Sequence, residues 1–187
     1  MRAVLLSALL LVSTSSCKKD EEYDAAPASS AVASSAQSPL LEVGAALPDL
    51  SAEAHTGERI RLSDLKGKPL VVYFYPKDDT RGCTIEAEEI RDLHAEIQKT
   101  GATVLGVSTD GVASHKAFAD KYQLPFLLLP DEDHRIAQAF GVPLKSGRAS
   151  RVSFVIGRDG RVSKVFPNVT PKGHGGELLE ALRAQGS

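Results

Sequence analysis

Residues Leu70-Val-Val-Tyr-Phe-Tyr75 form an unbroken apolar run rich in β-branched and aromatic side chains. Apolar residues alternating with polar ones would mark a strand with one wet face. An unbroken run marks a strand buried on both faces. Pro76 ends it. Such a strand needs a layer above and a layer below, and the rest of the chain supplies them. Ala87, Ile90, Leu93 and Ile97 recur at helical spacing, which predicts a helix from Cys83 to Lys99, closed by Gly101. Thr103–Ser108 reads as the next strand, and Val112–Tyr122 as a helix with His115, Phe118, Ala119 and Tyr122 on one side. Phe126–Leu129 is a further strand, and Asp133 is placed to cap a short helix that ends at Phe140, before Gly141. Val152–Ile156 and Val162–Phe166 flank Gly157-Arg-Asp-Gly160 as a hairpin, and Leu178, Leu179 and Leu182 mark a last helix. Short strands around Asp49–Glu53 and Arg59–Leu62 come first. The order predicts an α/β sandwich with a central mixed β-sheet flanked by helices: parallel crossovers, then an antiparallel hairpin.

These elements begin near Leu41, and a chain of 187 residues therefore carries sequence beyond one domain. Met1-Arg2 is a short positive start, Ala3–Val12 is apolar apart from Ser7, and Ser13-Thr-Ser-Ser16 leads into Cys17. Charged, apolar, small is the order of a secretory signal. The apolar part falls short of the ~20 residues of a spanning helix. With a cysteine directly after the small residues, the region resembles a bacterial lipoprotein signal, residues 1–17, in which Cys17 becomes the lipidated N-terminus. The expected location is the bacterial cell envelope, lipid-anchored and facing the periplasm. Secretion to the periplasm without lipid, or a cytosolic product from a later start, are the alternatives. Residues 18–40, charged at first and then mostly Ala, Ser and Pro, read as a disordered tether. Residues 41–187 form the expected folded domain.

The net charge is −2 and no basic run could track a phosphate backbone, so nothing favours a nucleic-acid partner. No long apolar stripe argues for assembly. Cys17 and Cys83 are the only two cysteines, too few for a disulfide framework. Cys83 follows a strand end and a loop and opens a helix. The first backbone N–H groups of a helix favour an anion, so a cysteine there is stabilised as thiolate, the nucleophilic form. Gly82 lets the backbone approach closely, Thr80 lies within reach of the sulfur, and Pro76 fixes the loop and shields it from water. The plainer reading of a lone cysteine is a small core hydrophobe.

Pro76-Lys-Asp-Asp-Thr80-Arg-Gly-Cys83 resembles the peroxiredoxin pattern P-x-x-x-T-x-x-C at every specified place. Val72-Tyr-Phe-Tyr-Pro-Lys-Asp-Asp-Thr80 with Gly82-Cys-Thr84 is similar to the bacterioferritin comigratory protein branch, also called peroxiredoxin Q. Leu105–Asp110, Pro130–His134 and Arg151–Ile156 resemble that branch in the same order. The resemblance implies a thioredoxin-like fold and a thiol-dependent peroxidase acting on hydrogen peroxide and organic hydroperoxides without a cofactor or metal. It implies Cys83 as the peroxidatic nucleophile, passing through a sulfenic acid, with Thr80 positioning the peroxide and Pro76 shaping the pocket. Arg151 stabilises thiolate and transition state, and Arg148 is its rival by proximity.

Many members of the branch carry a resolving cysteine five residues after the peroxidatic one, where this chain has Glu88. A one-cysteine mechanism is therefore expected, with an external thiol reductant such as a thioredoxin-like protein or a small thiol. A peroxide-sensing or thiol-redox binding module with poor turnover is the alternative. A copper chaperone would want a second cysteine where Ala87 stands, and a disulfide oxidoreductase would want C-x-x-C, which Cys83-Thr-Ile-Glu86 lacks. The five histidines have no metal-ligand spacing. Among them His94 is expected on a helix surface and His115 packed or half-exposed.

Overall fold

The computed structural model describes residues 38–185, so the expected signal and lipidation site at Cys17, and most of the tether, lie outside the described residues. Two short strands, β1 (Ser51–Glu53) and β2 (Arg59–Arg61), pair antiparallel. The apolar run then forms β3 (Leu70–Phe74), every residue of it buried. It lies at the centre of a five-stranded sheet. On one side β4 (Thr103–Ser108) runs parallel to it, followed by β5 (Leu127–Pro130), also parallel. The short strands β6 (Leu144–Lys145) and β7 (Arg148–Ala149) form a small hairpin of their own, for which the sequence reading had no element. On the other side of β3 lie β8 (Val152–Ile156), antiparallel to it, and β9 (Val162–Phe166), antiparallel to β8. The order β5-β4-β3-β8-β9 is the expected mixed sheet.

Successive side chains of a strand point to opposite faces, so β3 feeds two separate cores. Val71 and Tyr73 join one cluster with α1 (Arg81–Asp92), α2 (His94–Lys99), α3 (Val112–Tyr122) and α5 (His174–Arg183). Val72 and Phe74 join the other with α4 (Arg135–Phe140) and the β1–β2 region. Leu40 and Leu41 pack against that second cluster, and the Leu41 N–H donates to the Phe140 carbonyl at 3.0 Å. Gly106 in β4 has a steric reason. A Cβ there would stand 2.8 Å from the Tyr73 hydroxyl and 2.7 Å from Leu128. The missing side chain is the space that the tyrosine ring uses.

Three local expectations need correction. The helix expected from Cys83 to Lys99 starts two residues earlier and is broken at Leu93, whose φ of −96° and ψ of 1° leave the helical region. At this break His94 is turned inward rather than exposed: it is buried, with its ring 5.9 Å from that of Phe126. The main cap of α4 is Asp131, not Asp133. The Asp131 carboxylate accepts from the N–H groups of Ile136 and Ala137, both at 2.8 Å, while the one helix backbone N–H that Asp133 takes is that of Arg135, at 3.3 Å. Gly141 ends α4 as expected, at φ 66°.

Candidate active site

The sheet delivers the site. The Tyr75 N–H donates to the Val107 carbonyl at 3.1 Å, extending the β3–β4 pairing by one residue. The chain then leaves the sheet at Pro76 and crosses to Thr80, the N-cap of α1 with extended backbone angles of −93° and 147°. The Thr84 N–H closes the first turn onto the Thr80 carbonyl at 2.8 Å. Cys83 is thus the third residue of a helix, where backbone N–H groups lack intrahelical acceptors and carry partial positive charge.

Cys83 is 1% exposed and packs among the apolar residues beneath the helices. Its surroundings are not only apolar, however. Thr80 Oγ1 lies 2.9 Å from Sγ, and Arg151 Nη2 lies 3.1 Å from it. The threonine hydroxyl faces the sulfur instead of capping an N–H, unlike an ordinary N-cap. Arg151 comes from the residue just before β8, the strand next to β3, so sheet pairing carries it across to the helix start. Gly82 makes the approach possible, because a Cβ there would stand 2.7 Å from Arg151 Nη2. Arg148, the rival arginine, is exposed in β7.

Glu86 is a member of this site that the sequence reading missed. It is fully buried, and Arg151 Nη1 donates to its Oε2 at 2.5 Å, while its Oε1 has no hydrogen-bond partner among the described residues. Burial pushes its carboxyl up from 4.5 to about 7, against the pull of the Arg151 guanidinium. The signal was present in the sequence: Glu86 sits three residues after Cys83, inside a stripe otherwise made of Ala87 and Ile90. One guanidinium therefore serves two acidic groups with two nitrogens, a task suited to the arginine fork.

Pro76 is half-buried and shares with Arg148, Ala149, Arg151, Pro167 and Val169 the wall of a cleft of about 470 Å³. Three prolines (Pro76, Pro143 and Pro167), Ala149 and Val169 give that wall an apolar part, and Lys145 and the two arginines a cationic one. Glu88, at the place where many members of the branch carry a resolving cysteine, is a half-exposed side chain 3.5 Å from Arg91. Cys83 is the free cysteine among the described residues. No described helix is long and apolar enough to cross a membrane.

The AhpC/TSA family model matches residues 43–165. The Bacillus subtilis peroxiredoxin Bcp is 42% identical over 150 residues, covering 76% of this chain and 96% of that protein. Among solved structures, Xanthomonas campestris peroxiredoxin Q aligns with a TM-score of 0.73 at 35% identity, over 80% of this chain and 99% of that one. A mutant of Xylella fastidiosa PrxQ aligns with a TM-score of 0.76 at 31% identity, over 80% and 100%. The fold is the thioredoxin-like peroxiredoxin fold, and the similarity extends over the elements that place Cys83, Thr80, Glu86 and Arg151. The chain belongs to the AhpC/TSA family and is a peroxiredoxin related to the Bcp and peroxiredoxin Q proteins.

Proposed function

We propose that Cys83 is the peroxidatic cysteine of a one-cysteine enzyme that reduces hydrogen peroxide and organic hydroperoxides. The observation that carries this is the sulfur at a helix start with Thr80 Oγ1 at 2.9 Å and Arg151 Nη2 at 3.1 Å. The thiolate attacks one peroxide oxygen in line. An S–O bond forms, the O–O bond breaks, and the departing oxygen leaves as hydroxide or alkoxide and gains a proton. Sulfur loses two electrons and the peroxide gains them, leaving a sulfenic acid. Arg151, the Thr80 hydroxyl and the N–H groups at Gly82 and Cys83 are aimed at charge that develops in this step. Pro76 contributes an apolar wall that keeps water from the sulfur. A solved relative, the Xanthomonas campestris bacterioferritin comigratory protein, has alkyl peroxide reduction activity, which supports the organic substrates.

Glu88 stands at the place of a resolving cysteine, so the sulfenic acid is returned to thiol by an external reductant. One thiol displaces water to form a mixed disulfide with Cys83, and a second releases it. A thioredoxin-like protein or a small thiol suits this role. The same Glu88 favours the second reading, a peroxide sensor that oxidises once and recycles poorly. Intact mass after stoichiometric peroxide, in wild type and Cys83→Ser, tests the chemistry. One added oxygen confined to wild type is expected, and an unmodified wild type overturns the reading. Sustained peroxide consumption with added thiol separates enzyme from sensor.

We further propose that this domain, residues 41–187, acts as a monomer in the bacterial envelope, tethered through residues 18–40 to a lipid on Cys17 and facing the periplasm. The order of residues 1–17 supports this. The mass of the native N-terminus tests it: an acylated Cys17 is expected, and an unmodified N-terminus elsewhere overturns it.

A further inference from the structure

Two adjacent aspartates tie the loop between β3 and α1 to α3. Asp79 has a φ of 52°, an uncommon conformation for a residue with a side chain. Its exposed carboxylate takes Lys121 Nζ at 2.7 and 2.8 Å and the Tyr122 hydroxyl at 2.6 Å. Asp78 points the other way and is buried. Its carboxylate accepts from the Tyr75 hydroxyl at 2.8 Å and the Ser114 hydroxyl at 2.7 Å, and His115 Nδ1 lies 2.9 Å from it. Burial alone would raise the Asp78 carboxyl, but the hydrogen bonds from His115, Ser114 and Tyr75 outweigh it and hold it below the usual range. His115 is fully buried and its Nε2 has no partner among the described residues. A ring with its hydrogen on Nδ1 donates to Asp78 and leaves a bare lone pair on Nε2, rather than an unpaired N–H.

The peptide linking Lys77 to Asp78 is held at both ends. The Asp78 N–H donates to Asp110 Oδ2 at 2.9 Å, and Ser108 Oγ donates to that same oxygen at 2.8 Å. At the other end the Lys77 carbonyl lies 3.1 Å from Thr80 Oγ1, which is itself 2.9 Å from Cys83 Sγ. A hydroxyl has one proton to donate, so the Lys77 carbonyl and the sulfur compete for it. Where that carbonyl is held therefore bears on how the sulfur is solvated. We propose that Asp78, His115 and Asp110 are positioning residues for Cys83, acting through the Lys77–Asp78 peptide and the Thr80 hydroxyl. The inference rests on the reading of Cys83 as the peroxidatic thiol.

The test is a double-mutant cycle on the rate of Cys83 oxidation by hydrogen peroxide in single turnover, followed by mass. His115→Leu removes the donor to Asp78. His115→Asn keeps an N–H near the place of Nδ1. Thr80→Val removes the hydroxyl through which the effect is argued to pass. His115→Leu is expected to slow oxidation roughly tenfold in wild type and hardly at all in the Thr80→Val background. His115→Asn is expected to recover most of the loss. An equal slowing in both backgrounds, or no slowing in wild type, overturns the inference. If His115→Leu does not fold, Asp110→Ala runs the same cycle from a half-exposed position with the same two outcomes. An unreactive Cys83 in wild type would instead sink the peroxidatic reading and this inference with it. A reactive Cys83 with additive mutants sinks this inference alone.

Discussion

The Cβ that Gly82 lacks would stand 2.7 Å from Arg151 Nη2, the nitrogen that reaches Cys83 Sγ at 3.1 Å. A methyl group at residue 82 would push the guanidinium away from its place against the sulfur. The second residue of α1 is therefore chosen for what it leaves empty. Gly82 has no left-handed backbone requirement, so alanine fits the helix there. At Gly82→Ala the better helix propensity of alanine contributes up to about 1 kcal/mol, but a displaced Arg151 leaves buried Glu86 without its partner, so the variant is expected to be no more stable than wild type. It is expected to slow peroxide oxidation of Cys83 by at least about tenfold, because Arg151 loses its place. Thermal unfolding beside single-turnover oxidation checks both halves.

The two arginines on the cleft separate in the same assay. Arg151→Lys keeps a charge but cannot reach both Glu86 and Cys83, and is expected to slow oxidation by about a hundredfold. Arg148→Ala removes an exposed charge with no reach to the sulfur and is expected to stay within about threefold of wild type. Comparable losses from both changes would mean that the cleft's overall charge, rather than one guanidinium, governs the rate.

Glu86 gives the site a pH dependence with a definite sign. Its carboxyl titrates at about 7 in the folded protein and at 4.5 when exposed. Between those values the folded state holds a proton that the unfolded state has lost, so this group's contribution is full below pH 4.5 and declines as pH rises to about 7. The decline amounts to about 3 kcal/mol. Glu86→Gln should remove it, so the stability of the variant relative to wild type rises across that window in urea titrations at several pH values. Above pH 7 the ionised Glu86 also draws on the guanidinium that serves the sulfur. The oxidation rate of wild type relative to Glu86→Gln is accordingly expected to fall as pH passes through 7.

Asp131 offers a test away from the sulfur. It is buried and holds two N–H groups at the start of α4, which packs on the second core. Burial raises its carboxyl, and the bonds from Ala137 and Ile136 lower it in part. Asp131→Ala is expected to cost about 1–2 kcal/mol. Asp133→Ala, at an exposed carboxylate, should cost less than about 0.5 kcal/mol. Chemical denaturation of the two variants checks the ranking.

The run Leu70–Tyr75 was enough to place a doubly covered central strand, because hydrophobic patterning is local and strand burial follows from it directly. A helix carrying Cys83 in its first turn was readable for the same reason, though its start was placed two residues late, and so were Thr80 within reach of the sulfur, the hairpin at Gly157–Gly160 and the stop at Gly141. Patterning failed where the deciding contact lies far away in sequence. His94 turns inward beside Phe126, and Asp131 displaces Asp133 as the cap, through choices made by packing. Glu86 lies beside the apolar stripe of its helix, but its partner Arg151 stands 65 residues later and reaches it only across the sheet. So Cys83 and its helix belong to the local sequence. The charge balance at the sulfur, shared between Cys83, Arg151 and Glu86, exists only in the tertiary fold, because it depends on burial and on distances that sheet pairing alone sets.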